Sequence, residues 1–312
     1  MKAVALGGGH GLSITLASLR ELTDDITAVV TVADDGGSSG RMRRELDLLP
    51  PGDLRKAITA LAGADHPLLA EVFGHRFGGD GVLAGHAVGN MLLGGMLEVL
   101  ADPVRALDET MRLFGARGRV LPMCVNPLDI EADVIGLDAD PRAVRRIRGQ
   151  VAVATTPGKV QRIRLHGNGG PEHPPVACRE AVEAVLEADL VLLGPGSWFT
   201  SVLPHLLVPE LHDALVETAA QRVVVVNLVP QPGETSGFSQ ERHLYVLHEH
   251  APRLRVDAVV ADTGAVDAPG ELRAAATALD AHVELADVAR ADAGERHDPV
   301  ALASAIRKAT QR

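Results

Sequence analysis

Aromatic side chains are nearly absent from this chain: one Trp, one Tyr and five Phe among 312 residues. That scarcity excludes the stacking platforms that usually hold single-stranded nucleic acid. Positive charge is also in short supply. Lys and Arg number 30 against 41 Asp and Glu, a formal net charge of -11, and no basic block is long enough to make a stripe for a polyanion. No nucleic-acid partner is expected, and any bound phosphate must be held by local backbone N–H groups and a few placed Arg side chains. Only Cys124 and Cys178 occur, without metal-ligand spacing, and they read as two small buried hydrophobes in a reducing compartment. The apolar stretch before Gly7 is too short for a signal peptide. No run approaches the ~18 apolar residues of a membrane span, so the expectation is a cytoplasmic protein without membrane insertion.

What is abundant is Ala, Val, Leu and Ile, which supply most of the 46% apolar content. Short β-branched runs alternate with longer amphipathic runs, the pattern of βαβ units. The expected fold is α/β: a Rossmann-like, doubly wound, mostly parallel sheet with a small inserted α/β cap, all within one domain over residues 1–312. Strands are predicted at 2–6, 26–32, 189–193 and 222–228, with weaker ones near 119–125, 256–261 and 282–286. Helices are predicted near 12–22, 53–63, 87–99, 103–114, 178–188, 200–219, 239–250 and 299–309. The stretch of about 129–170 departs from this rhythm and reads as an insertion or edge hairpin. Its predicted parts are half-buried strands at 129–134 and 151–154 around a basic helix from Arg142 to Arg148, then a loop from His166 to Pro175.

Six loops carry the chemistry. Gly7-Gly8-Gly9-His10-Gly11 leaves the first strand and enters a helix, so free N–H groups and the helix dipole can meet a phosphate. It is not a dinucleotide fingerprint, because Leu12 stands where the third Gly belongs. Asp34-Asp35-Gly36-Gly37-Ser38-Ser39-Gly40 follows the second strand. Asp34 there suits ribose hydroxyls, while Asp34, Asp35 or Asp53 suits a magnesium ion bridging to phosphate. A dehydrogenase reading rests on Asp34 alone and ranks last. Asp53 in Pro51-Gly52-Asp53 opens a helix as a cap, and His86 and Asn90 open another. Gly194-Pro195-Gly196-Ser197 makes a second anion-type loop; it fails the serine-nucleophile pattern at Pro195 and Phe199. Asn227 and the loop from Gln231 through Gly233, Glu234 and Thr235 complete the set. His248-Glu249-His250 has metal-ligand residues but points them to different helix faces. The arginine run 142–148 reads as a solvated face.

Taken in order, these loops resemble the gluconeogenesis factor (YvcK-like) family, which shares its fold with 2-phospho-L-lactate transferase (CofD). The resemblance rests on Gly7 to Leu12, Val32 to Gly40, Pro51 to Asp53, His86 to Asn90 and Gly194 to Ser197. Asn227 to Thr235 and Arg296-His297-Asp298-Pro299 point to the gluconeogenesis factor branch. The resemblance implies a bacterial cytoplasmic protein that binds a UDP-sugar such as UDP-N-acetylglucosamine and links carbon supply to cell-wall synthesis and cell shape. Its implied partners are that small molecule and proteins of cell-wall synthesis, and the oligomeric state, a homo-oligomer included, is left open. Catalysis is not an established role of that branch. The sibling transferase uses magnesium to move a phospholactyl group onto a deazaflavin precursor, with Asp53 and His86 as the catalytic candidates here. The resemblance places the diphosphate between the Gly8, Gly9, His10, Gly11 loop and the Gly194, Gly196, Ser197 loop. Asn227, Gln231, Gly233, Glu234 and Thr235 fall near the nucleoside or sugar, and Arg296 is a closing cation. This chain departs from the family pattern at Trp198-Phe199 and at His10.

Overall fold

The computed structural model describes residues 1–62, 65–168 and 170–311. Residue 63, the end of the predicted helix 53–63, and Gly169 of the predicted loop lie outside the described residues. Among the described residues twelve strands occur in chain order: β1 (Ala3–Gly7), β2 (Ile26–Val30), β3 (Arg119–Pro122), β4 (Leu128–Ile135), β5 (Arg145–Arg148), β6 (Lys159–Gly167), β7 (Leu190–Leu193), β8 (Gln221–Val225), β9 (Ala258–Asp262), β10 (His282–Ala286), β11 (Ala289–Arg290) and β12 (Ala293–His297). Seven of them form one sheet in the order β10-β9-β8-β7-β1-β2-β3, and every pairing in it is parallel. All residues of β1, β7 and β9 are buried. Strands buried on both faces need helices on both sides, which is why they read as continuous apolar runs.

The strand order sets the position of the site. From β1 the chain winds outward through β2 to β3, then returns to β7 on the other side of β1 and winds out to β10. The order therefore reverses between β1 and β7, where the two carboxyl-end loops splay apart and leave a crevice. Leu6 of β1 lies beside Leu193 of β7, so the loops that follow start level with each other.

The stretch between β3 and β7 folds as its own antiparallel sheet, β5-β4-β6. Two predicted elements within it are exchanged. The basic stretch ends as β5 rather than as a helix, and residues 151–154 belong to a short helix, Gln150–Ala154, rather than to a strand. The cause is long-range. β4 alternates buried apolar residues with outward Asp129, Glu131 and Asp133, and Arg148 pairs with Asp129 while Arg146 meets Glu131 and Asp133. Acids on a neighbouring strand thus hold the arginines extended. Strand β6 runs through the predicted loop as far as Gly167.

Other differences are local. Residues 37–46 form a helix where a Gly-rich loop was predicted, and Pro67–Gly74 and Pro269–Thr277 are additional helices. The single helix predicted over 200–219 is broken into a π turn at Trp198–Val202, a 3-10 turn at Leu203–Leu207 and a helix at Pro209–Glu217. Pro204 and Pro209 lack the N–H that one uninterrupted helix would need. Both cysteines are buried and free, and burial raises the thiol of Cys178 to about 12. No helix among the described residues is long and apolar enough to cross a membrane.

His205 ties the broken segment to the sheet, with its ring nitrogens 3.1 Å from the Val29 carbonyl and 3.3 Å from the Val202 carbonyl. Burial pushes its pKa down to about 4, and burial does the same to His243 and His297. These rings are neutral in the native state, whereas in the unfolded chain they titrate near an ordinary value of about 6.5. Between those two values the unfolded state binds more protons, so stability falls as pH drops through about 6.5 and the loss is complete below about 4. Each ring contributes on the order of 2–3 kcal/mol to that loss at about pH 4.5. A urea midpoint markedly lower at pH 4.5 than at pH 7 is expected; an unchanged midpoint would mean that the rings are not held neutral.

Candidate functional site

The two glycine loops meet at the switch point. Thr15 Oγ1 donates to the Gly194 carbonyl at 2.9 Å, and Gly11 packs directly on Pro195 and Gly196. A Cβ at Gly11 would lie 2.1 Å from the Pro195 carbonyl oxygen, so only glycine permits this approach. Gly9 opens the helix Gly9–Arg20, whose N-cap, Gly8, offers no side-chain acceptor. The first-turn amides of that helix are therefore not capped by a side chain and point out along its axis.

Two cavities share the Gly11–Gly196 contact in their walls. The larger, about 460 Å³, has apolar walls from Ile14, Pro195, Leu228 and Val229, and is also lined by Arg296 and by Arg290, which pairs with Asp292 at 2.9 Å. The smaller, about 250 Å³, is polar, with Asp34, Asp53, Lys56, Gln150 and Ser197 in its walls. His10, Gly11, Gly196 and Gln231 line both, so the two cavities adjoin as one cleft at the contact between Gly11 and Gly196, a glycine ridge common to both. Two buried polar atoms at this cleft, Gln231 Oε1 and His297 Nε2, have no hydrogen-bond partner among the described residues.

In the polar cavity Asp53 is paired with Lys56 at 2.9 Å. It also lies against the glycine loop, since a Cβ at Gly8 would come within 2.7 Å of its Oδ2. Asp34 accepts from the Gly36 amide at 3.0 Å. Burial, and then the like charge of Asp53, holds the Asp34 carboxyl above the usual range. The neighbouring charge thus raises the cost of ionising Asp34, which a hydroxyl donor or a cation in the cavity would relieve.

The remaining predicted residues divide by role. Asn227 lines the larger cavity, but its amide is spent on the second loop: Oδ1 accepts from the Gly196 amide at 2.8 Å and Nδ2 donates to the Gly196 carbonyl at 2.9 Å. Glu234 is buried and holds the start of the π turn, with Oε2 accepting from the amides of Phe199 at 2.9 Å and Thr200 at 3.3 Å. Thr235 Oγ1 accepts from the Gln231 amide at 2.8 Å and so shapes that loop from within. Gly233 packs against the Ala154 carbonyl of the inserted sheet's helix.

Ser38, His86 and Asn90 line neither cavity. His86 Nδ1 and Asn90 Nδ2 each lie 3.0 Å from Ser38 Oγ, and Arg55 Nε donates to Asn90 Oδ1 at 3.0 Å. This buried chain ties three helices together behind the loop that carries Asp34. Ser39 supports Asp34 by a hydrogen bond, and Gly37 begins the helix after it. Asp35 lines neither cavity and accepts from the Val151 amide of the inserted segment at 2.9 Å, which removes it from the carboxylates that could share a cation with Asp53. His250 is spent on the Val246 carbonyl at 2.8 Å, and among the described residues no three His, Cys, Asp or Glu side chains converge as a metal cluster.

Sequence reasoning missed Lys56, Gln150, Arg290 and His297. Lys56 was legible, being one helical turn from Asp53. Gln150 and Arg290 were not, because the inserted sheet and the β11–β12 hairpin deliver them from far along the chain.

Comparison with known proteins matches this geometry to a family. The family described as 2-phospho-L-lactate transferase CofD matches residues 3–298. A Mycobacterium tuberculosis protein provisionally named a gluconeogenesis factor is 60% identical over 309 residues, covering 97% of this chain and 88% of that protein. A Streptococcus pyogenes serotype M1 protein of the same name is 40% identical over 267 residues, covering 85% of this chain and 79% of its own length. A crystal structure of a UPF0052 family protein from Bacillus halodurans superposes with a TM-score of 0.85 at 33% identity, covering 98% of each chain. With its doubly wound sheet and its switch-point loops, the chain belongs to the CofD family, among the relatives named gluconeogenesis factors.

Proposed function

We propose that the protein binds a nucleotide sugar of the UDP-N-acetylglucosamine kind across the switch-point cleft and serves as a cytoplasmic regulator that links carbon metabolism to cell-wall synthesis and cell shape. The observation that carries the binding step is the glycine ridge shared by two cavities of unlike character. A diphosphate on the ridge would meet the uncapped amides of the first helix turn, with Arg290 and Arg296 closing over it. The less polar cavity suits a nucleoside, whose base needs apolar walls. The cavity with Asp34, Asp53 and Lys56 suits a sugar, whose hydroxyls both donate and accept. The regulatory step follows from ligand-dependent populations: a ligand that bridges both glycine loops stabilises the closed arrangement that a partner protein of cell-wall synthesis can read.

A second reading, a transferase of the 2-phospho-L-lactate type, is favoured by the Asp34–Asp53 pair. Two carboxylates sharing a polar space are a fitting oxygen donor set for magnesium, which takes one or two carboxylates together with phosphate oxygens. Bound there, the ion would supply charge neutralisation at a leaving diphosphate. The chain's own part would be Asp34 and Asp53 as ligands and Lys56 as a fixed cation beside Asp53.

One titration separates the two. Calorimetry with UDP-N-acetylglucosamine, UDP and GDP, each with magnesium or with chelator, is followed by chromatography of the nucleotides. The binding reading expects saturable heat with the UDP-sugar and no change in the nucleotide; absence of heat with every ligand removes it. Magnesium-dependent release of free nucleotide would favour the transferase.

A further inference from the structure

We propose that Gln150, delivered into the cleft by the inserted three-stranded sheet, is the specificity-determining residue for the group beyond the diphosphate and selects an amide-bearing sugar over a plain hexose. This rests on the nucleotide-sugar reading above. Gln150 is the first residue of the helix Gln150–Ala154 and stands in the wall of the polar cavity, where its neighbours come from the parallel sheet's loops.

Its backbone is clamped from two sides of the cleft. Asp35, after β2, accepts from the Val151 amide at 2.9 Å. Gly36 lies so close that a Cβ there would be 2.7 Å from Val151 Cγ2. After β8, Gly233 approaches the Ala154 carbonyl to where an added Cβ would be 2.1 Å away. A five-residue helix has little stability of its own, so these contacts hold it in place. A side chain on a clamped backbone loses less entropy on binding than one on a free loop.

The charged groups of that cavity are already engaged, and Gln231, which also lines it, has its unpartnered Oε1 buried among the described residues. Asp53 is paired with Lys56, and Asp34 is bonded to Gly36 and Ser39. The Gln150 amide makes no hydrogen bond to the protein among the described residues. Charged groups bind hydroxyls of any hexose with little preference. A carboxamide presents a donor and an acceptor side by side, and another amide complements that pair. An acetamido N–H and C=O meet that pair as two near-linear hydrogen bonds, which a single hydroxyl oxygen matches only with both bonds bent. The inserted sheet then has a functional reason to dock on both loops: it brings the reader to a floor that the parallel sheet builds.

The test is calorimetry on Gln150→Ala, and on Gln150→Met to keep the side-chain length, with UDP, UDP-glucose and UDP-N-acetylglucosamine as titrants. Wild type is expected to prefer the acetamido sugar over UDP-glucose by about 10-fold, the worth of one well-placed hydrogen-bond pair. In both variants that ratio should fall to near one while UDP affinity stays at the wild-type value. Variants that keep the wild-type ratio would overturn the assignment, as would a wild type that binds UDP but does not distinguish the two sugars. In either case the nucleotide-sugar reading survives. If wild type binds none of the three, that reading fails and takes this one with it.

Discussion

Replacing Gly11 with alanine is expected to cost at least about 100-fold in nucleotide-sugar affinity, or about 3 kcal/mol. The added Cβ would stand 2.1 Å from the Pro195 carbonyl oxygen and 2.6 Å from Gly196 Cα. Both are backbone atoms, so no side-chain rotamer can relieve the overlap and the two loops must part. Parting them moves the first-turn amides away from the Gly196–Ser197 edge, and a diphosphate can no longer meet both. Overpacking at a tight contact also costs about 1–3 kcal/mol of stability, so affinity should be read at a temperature where circular dichroism shows the variant folded. Gly78→Ala, where nothing lies within 4 Å of the added atom, serves as the control and should match wild type. An unchanged affinity in folded Gly11→Ala would mean that the ridge is not where the ligand sits.

The second large effect falls on stability. Glu234→Ala is expected to lower unfolding free energy by about 3 kcal/mol or more, because it strands the Phe199 and Thr200 amides and the Thr200 hydroxyl in a buried site. Against a typical total of about 5–15 kcal/mol that is a large fraction. Glu234→Gln keeps an acceptor oxygen for the two amides and should retain most of the stability. The measurement is the urea midpoint of each variant, taken together with the affinity of the folded fraction. A residue that contacts the ligand directly would show the opposite pattern, a normal midpoint with lost affinity. That outcome would restore the direct ligand contact implied by the sequence resemblance in place of the structural role seen here.

These two residues mark how far the sequence could be read. Gly11 was legible because a glycine run between a β-branched strand and an amphipathic helix has few other uses, and its chemistry is local. Glu234 was legible as important but its hold on the π-turn amides was not, since a polar residue in a carboxyl-end loop looks the same whether it faces a ligand or closes a helix start behind it. Asp34 and Asp35 make the same point as neighbours. They are identical in type and adjacent in sequence, yet Asp34 lines the cavity and Asp35 holds Val151. His86 precedes the helix Val88–Leu100 and Asn90 lies in its first turn, but they are tied to Ser38 and Arg55 by hydrogen bonds.

Periodicity and punctuation in the chain by themselves determined the α/β class, the seven places where parallel strands lie and the two glycine loops, because side-chain burial and turn geometry act over a few residues. Tertiary structure alone decided what those loops face. The reversal of strand order between β1 and β7 sets them side by side. Ion pairs across β4, β5 and β6 turned an apparent basic helix into a strand, and docking of that small sheet put Gln150 opposite Asp34 and Asp53. Each of those outcomes depends on contacts between residues far apart in the chain, whose pairing no local pattern encodes.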